Sequence, residues 1–251
     1  MTRETLRSVA RPAAPTFSPL YRQIKDFLIG CLERGEWRPG DVIPSEGELA
    51  QRFNVSQGTV RKAIDEMAAE NMLVRRQGKG TFVSTHNDPR AYYRFLRLLP
   101  NDGIAVPSVS EPFFCQVVEA APDVAAVFGM APASPVLHVK RILRFAGEKV
   151  IFDQIFLPAE AFPGLTLELL RAGERSLYSL LESDFGVRMI SAEEHLRAVA
   201  ADEECAALLD VRVGEPLLQV ERTAYTYGNR PVEWRKGLYC TRNHYYHNEL
   251  G

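Results

Sequence analysis

Leu49-Ala50-Gln51-Arg52-Phe53-Asn54-Val55-Ser56-Gln57-Gly58-Thr59-Val60-Arg61-Lys62-Ala63-Ile64-Asp65-Glu66-Met67 reads as the end of one helix, a tight turn and the start of a second helix. Ser56 is the expected N-cap, because its hydroxyl can accept a backbone N–H that has no partner inside the helix. Val60, Ile64 and Met67 recur at helical spacing and form a stripe for burial, while Gln57, Thr59, Arg61, Lys62 and Asp65 point elsewhere. The exposed face is cationic and amide-bearing near its N-terminal end. A helix-turn-helix lays that end of its second helix into the DNA major groove, where Gln and Arg hydrogen-bond base edges. An ordinary helical hairpin with a solvated charged face fits the same residues, so the flanks decide between the two.

Upstream, Leu20, Ile24, Phe27, Leu28 and Cys31 share a helical face that Gly35 brings to a stop. Trp37-Arg38-Pro39-Gly40 is a turn, and Ser45 with Glu48 three residues later is a capping box opening the helix that contains Leu49 and Phe53. Downstream, Leu73-Val74-Arg75-Arg76 and Thr81-Phe82-Val83 read as two short strands joined by Gln77-Gly78-Lys79-Gly80. Two glycines around a lysine let backbone approach a phosphate surface, as the wing of a winged helix does. The loop lacks the spacing of a P-loop and of a dinucleotide-binding turn.

Charge is distributed accordingly. Net charge is only -2, but residues 1–84 carry 13 Lys and Arg against 10 Asp and Glu, and the remainder carries 17 against 22. Arg61, Lys62, Arg75, Arg76 and Lys79 lie in two stretches without an acid, a local footprint suited to phosphate.

Residues 19–83 resemble the DNA-binding domain of GntR-family bacterial transcription regulators. The resemblance rests on Pro44-Ser45-Glu46, on Val55 to Ala63 and on Arg76-Gln77-Gly78-Lys79-Gly80-Thr81-Phe82-Val83. It implies double-stranded DNA as partner, with contacts from Ser45, Ser56, Gln57, Thr59, Arg61, Lys79 and the wing glycines Gly78 and Gly80, and with Lys62 beside them in the cationic stretch. Gly47 and Gln57 stand where many members carry arginine, a departure that bears on which operator is read and not on DNA binding itself.

A chain of 251 residues suits two domains. Residues 1–18 are expected to be a disordered leader, 19–84 the DNA-binding domain, 85–92 a polar linker and 93–251 a second domain. Cys31, Cys115, Cys205 and Cys240 form no CxxC pair, as expected of reduced thiols in a cytoplasmic protein with no disulfide frame. No signal peptide and no apolar run of membrane-spanning length is present, so no membrane partner is expected. His244 and His247 have ligand-like spacing without a third ligand, and Glu193-Glu194-His195 reads as surface; neither is expected to bind a metal, and no cofactor is implied.

The second domain contains an internal echo. Pro135-Val136-Leu137-His138-Val139-Lys140-Arg141 followed by Gly147 recurs as Pro216-Leu217-Leu218-Gln219-Val220-Glu221-Arg222 followed by Gly228. Each copy is a strand, a glycine turn and a return strand, Val150 to Leu157 in the first and Pro231 to Cys240 in the second. Further strands are expected at Tyr92 to Leu99, Phe113 to Glu119 and Val187 to Val199, with helices at Asp123 to Phe128, Leu165 to Arg171, Ser176 to Phe185 and Asp202 to Leu209. The fold class is α+β, a winged helix followed by an antiparallel sheet covered by helices. Period-2 counting places Arg141 and Arg222 among apolar neighbours, where a guanidinium is costly unless paired. Asp153 and Glu233 are candidate internal partners, and an anionic ligand is the other.

This region resembles the UTRA effector domain of the HutC branch of GntR regulators, which shares its fold with chorismate lyase. The residues are Arg141, Gly147-Glu148, Ser176-Leu177-Tyr178, Pro231-Val232-Glu233 and Tyr239 to Tyr245. The resemblance implies a small metabolite bound by Arg141, Asp153, Ser176, Tyr178 and Glu233, with Arg222 as the repeat's counterpart. Leu143 replaces the second arginine of the usual Arg-x-Arg, so a carboxylate or other small anion fits at least as well as a sugar phosphate. The implied protein is a repressor that binds a palindromic operator as a homodimer. A lyase-like enzyme fused to a DNA-binding module is the alternative, without a visible nucleophile and base.

Overall fold

The computed structural model describes residues 18–88, 95–173 and 175–248. All of the expected leader but Ser18 therefore lies outside the described residues, as do the later half of the expected linker and the first residues of the strand expected from Tyr92.

Three helices and a hairpin make the first unit: α1 (Leu20–Glu33), α2 (Glu46–Phe53), α3 (Gln57–Ala69), β1 (Leu73–Arg76) and β2 (Gly80–Val83). The capping box at α2 is complete. Glu48 N–H donates to Ser45 Oγ at 3.3 Å, and Ser45 N–H donates to the Glu48 carboxylate at 2.8 Å. Asn54 ends that helix in the left-handed region with φ 51°, a conformation its short polar side chain tolerates. Ser56 caps α3, accepting from Thr59 N–H at 3.2 Å. Val60, Ala63, Ile64 and Met67 are buried against Ile24, Leu28 and Leu32 of α1, so the helical stripes meet as their spacing requires. Leu20 and Phe27, assigned to the α1 core face, are instead exposed. Phe27 packs edge-on against Phe53 at 4.7 Å and lies under the Arg52 guanidinium, so it closes the rim of the core. In the wing, Gly78 and Gly80 take φ of 69° and 106°, which only glycine adopts cheaply.

The second unit is built on a six-stranded antiparallel sheet. Its elements are β3 (Leu98–Pro100), β4 (Ser108–Glu119), α4 (Pro122–Phe128), β5 (Pro135–Phe145), β6 (Glu148–Pro158), α5 (Leu167–Arg171), α6 (Leu177–Phe185), β7 (Ser191–Ala200), α7 (Glu203–Leu209), β8 (Pro216–Tyr225), β9 (Pro231–Tyr239) and β10 (His244–Tyr246). Strand order is β4-β5-β6-β9-β8-β7, with β3 and β10 paired separately. The echo extends beyond the two hairpins. β4-α4-β5-β6 and β7-α7-β8-β9 are the same strand-helix-hairpin unit, joined back to back by β6 and β9. Both helices even end on a left-handed residue, Gly129 in one and Asp210 in the other.

One face of the sheet packs on α6 and the segments around it, through Leu137, Val139, Ile155, Leu157, Tyr178, Leu181 and Val232. Residues 187–190, expected to open a strand, precede β7 as a buried connection. Ile190 there belongs to the core of the first unit, and Thr85 to Asn87 of the expected linker are hydrogen-bonded to α6. The two units therefore meet at α6 and the segment after it.

Candidate functional site

On the DNA-reading side, Gln57, Arg61, Lys62 and Lys79 are exposed and Thr59 is half-buried. Ser45 and Ser56 are occupied as caps. Arg61 is aimed by an acid: its Nε donates to Glu46 Oε2 at 2.9 Å, and Arg75 donates to the other oxygen of Glu46 at 2.9 Å and to Asp65 at 2.7 Å. Glu46 thus ties together the start of α2, the recognition helix α3 and the wing. Burial raises its carboxyl, but Arg75 and Arg61 outweigh that and hold it below its ordinary value. Arg75, counted above in the cationic footprint, is therefore engaged internally. Lys62 turns toward α1, with Nζ 4.0 Å from the Tyr21 ring centroid.

In the second unit a cavity of about 530 Å³ opens between β4, β5, α5 and the N-terminal end of α6, with Phe95 and His86 in its wall. Of the candidate residues, Arg141, Ser176, Tyr178 and Arg222 line it. Asp153 and Glu233 do not: both are 0% exposed and lie behind the arginines. The reason is charge. Three guanidiniums converge on this face, and each must face a carboxylate to leave water.

Arg141 donates from Nε and Nη2 to one oxygen of Asp153, at 2.9 and 2.8 Å, and Arg235 reaches the same oxygen from Nη1 at 3.3 Å. Arg235 also donates from Nε to Glu233 at 2.7 Å. Neither candidate carboxylate faces Arg222; its partner is Glu194, with Nε donating at 2.7 Å. Its remaining nitrogens meet the Tyr178 hydroxyl at 3.5 Å and the Phe95 carbonyl. Glu194, read above as surface, is thus a site residue, while Glu193 and His195 on either side of it are exposed, as strand alternation demands. Tyr246 of β10 donates to the second oxygen of Glu194.

Arg235 was missed, although period-2 counting from Glu233 places it on the same strand face. Directly across the sheet, Arg235 pairs with Ile155 on one side and with Arg222 on the other, and Arg222 with Glu194. Asp153 sits opposite Gly237. A Cβ at Gly237 would stand 2.8 Å from Asp153 Oδ1 and 2.5 Å from the Tyr239 ring, so glycine makes room for the buried carboxylate. Burial raises the Asp153 carboxyl, yet Arg235 and Arg141 more than reverse it and hold it below its ordinary value. Burial, with Glu233 nearby, raises the Tyr178 phenol. Ser176 caps α6, accepting from Ser179 N–H at 3.2 Å.

The other end of α6 holds the DNA-binding unit. Glu182 accepts from His86 N–H at 3.1 Å and from the Thr85 hydroxyl, and lies 3.4 Å from Arg188 Nε. Arg188 donates to the carbonyls of Asn71 at 2.8 Å and Met72 at 3.2 Å, just past the end of α3, and to the Tyr227 hydroxyl at 3.3 Å. Neither residue stood out in the sequence, because both partners are backbone or distant in the chain. His244 packs on Phe145 at 5.5 Å and is buried, and among the described residues no group of three or more His, Cys, Asp or Glu is placed to hold a metal.

The model of the gntR family of bacterial regulatory proteins matches residues 20–83, and that of the UTRA domain matches residues 114–244. The chain belongs to the GntR family, in its UTRA-bearing group. A probable fructoselysine utilization operon transcriptional repressor of Escherichia coli is 30% identical over 230 residues, covering 89% of this chain and 91% of that protein. The HTH-type transcriptional regulator YurK of Bacillus subtilis is 29% identical over 219 residues, covering 86% and 88%. The crystal structure of the ligand-binding domain of a putative GntR-family regulator from Bordetella bronchiseptica is 44% identical, with a TM-score of 0.61, covering 63% of this chain and 99% of that one. This GntR regulator is thus an α+β protein with a winged helix for DNA and a UTRA effector domain. No helix among the described residues is long and apolar enough to cross a membrane.

Proposed function

We propose that this regulator is a cytoplasmic repressor that binds a palindromic operator as a homodimer, and that an anionic metabolite in the arginine-lined cavity sets its operator affinity without being turned over. The reading divides the chain at 19–84 for the DNA-binding unit, 85–92 for the linker and 93–251 for effector binding and dimerisation. The observation that carries it is α6, which presents Ser176 and Tyr178 to the cavity at one end and, through Glu182 and Arg188, grips the backbone beyond the recognition helix at the other. The repressors among the relatives support the sign of regulation. Binding rather than turnover is supported by the wall chemistry: Ser176 is held as a cap, and His86 Nε2 donates to the Met189 carbonyl at 3.0 Å.

Gln57 and Arg61 are assigned to base edges, Thr59, Lys62, Lys79 and the wing backbone at Gly78 and Gly80 to phosphate or groove walls, and the capped helix starts at Ser45 and Ser56 to phosphate. Selection of bound duplexes from a random pool tests this. The expected product is an inverted repeat with half-sites one helical turn, about 34–36 Å, apart, occupied by two chains. Arg61→Ala and Gln57→Ala are expected to cost roughly 1–3 kcal/mol on the selected site and to relax base preference there. A single asymmetric site, or equal losses on selected and random DNA, overturns the assignment.

A further inference from the structure

We propose that β7, one edge of the six-stranded sheet, pairs antiparallel with the β7 of a second copy of this chain, joining the two sheets across a two-fold axis. The inference rests on the homodimer reading above and assigns the surface that makes the dimer.

The two edges of the sheet are built differently. At β4 the edge is blunted: Pro112 has no N–H to offer, and the ladder to β5 slips between Pro112 and Phe114. The α5 segment also lies alongside it, with Arg171 Nε donating to the Pro112 carbonyl at 2.9 Å and Cys115 Sγ to the Leu165 carbonyl at 3.7 Å. Such devices keep an edge from pairing with another chain. At β7 they are missing. The strand runs ten residues in unbroken register with β8, its one strand neighbour among the described residues, and contains no proline. Eight of the ten are exposed, so a long row of backbone N–H and C=O groups faces outward.

The side chains of β7 fit a copy of themselves. A two-fold axis perpendicular to the sheet keeps each face of the strand on the same face as its copy, so every such register is centred on one residue. Centring on Glu194 or on Arg197 sets like charges opposite each other, and centring on Leu196 sets His195 against Arg197. Centring on His195 sets Glu193 opposite Arg197 twice, once on each side of the axis. Both side chains are exposed, and Arg197, which donates to Glu221 of β8, has further N–H groups for a second carboxylate. On the other face, Ala192, Leu196 and Ala198 lie across from Ala224, Val220 and Leu218. Leu196 is 49% exposed, and in this register it meets its copy diagonally, where the apolar strip of one chain continues into the other. The symmetry is the one a palindromic operator requires of two bound chains. The same strand carries Glu194, which holds Arg222 in the cavity wall, so each cavity lies one side chain from the joint.

The test combines sedimentation equilibrium of the full chain with cysteine cross-linking by diamide. The wild type is expected to be a dimer at micromolar concentration. Glu193→Lys, which sets two cations opposite each other on both sides of the axis, is expected to weaken the dimer about tenfold with an unchanged far-UV circular dichroism spectrum. His195→Cys is expected to cross-link rapidly between copies, because facing residues of paired strands lie about 4.5–5.5 Å apart, within disulfide reach. Glu193→Cys and Arg197→Cys, each about 13 Å along the strand from its copy, are expected to stay at the level of the wild type treated likewise. A dimer that Glu193→Lys leaves intact, or cross-linking of Glu193→Cys or Arg197→Cys as fast as that of His195→Cys, overturns the assignment of β7 while the homodimer reading stands. A chain that is monomeric both alone and on its operator overturns both.

Discussion

Removing the Asp153 carboxylate would strand Arg141 and leave Arg235 to Glu233 alone, since both arginines donate to the same oxygen of a fully buried group. Asp153→Asn is expected to cost about 3–5 kcal/mol, the usual penalty for breaking a buried pair from one side, measured by urea unfolding at pH 7. The pH dependence follows from the lowered carboxyl. Stability contributed by Asp153 is fully present above its unfolded value, near 3.8, and is lost as pH falls through the lower folded value. The wild type is expected to weaken on acidification below about pH 4, with a flatter profile for Asp153→Asn over that window. Equal stability of the two proteins at pH 7 would remove Asp153 as the anchor of the arginines. At this scale the sequence was half legible. Arg141 and Asp153 could be paired by hairpin register alone, whereas Arg222 finds Glu194 on a strand whose own alternation was misjudged as surface. Arg235 lies two residues from Glu233 on one strand face, and counting by twos would have found it.

Among the elements, local signals served best where local chemistry decides the structure. The caps at Ser45 and Ser56, the wing glycines and the duplicated hairpins all declare themselves within a few residues, because each is a backbone hydrogen bond or a turn that only certain side chains permit. What stayed hidden was long-range: residues 187–190 carry strand-like apolar residues but are buried between two units, and polar Thr85 to Asn87 are docked on α6. Helix α6 is the element to break. Arg188→Ala takes donors from the carbonyls of Asn71 and Met72 and leaves Glu182, whose carboxyl burial already raises, without its cation. Differential scanning calorimetry is expected to resolve two transitions in this variant where the wild type shows one, with the separate units otherwise folded. A single transition shifted as a whole would make Arg188 a general stabiliser and not the joint between units.

Across the whole molecule the two units differ in how far apart their contacts lie in the chain. The winged helix is closed mainly by neighbours in sequence, with Ile190 its distant core residue, whereas the sheet is completed only when β9 inserts between β6 and β8. Local contacts form quickly and distant strand pairing slowly. Refolding by stopped flow is expected to show a fast phase in helical signal and a slower one in the tyrosine and tryptophan environment around Tyr239 and Trp234. Coincident single-exponential phases would contradict this order. The same geometry has a meaning during synthesis. Residues 20–83 leave the ribosome well before Ile190 and Arg188, which complete their packing, and the floor that holds Asp153, Arg235 and Gly237 together awaits a strand made only after α5, α6, β7, α7 and β8. Each newborn chain thus carries its winged helix for an interval without the floor of its cavity, an interval set by translation speed and not by any binding constant.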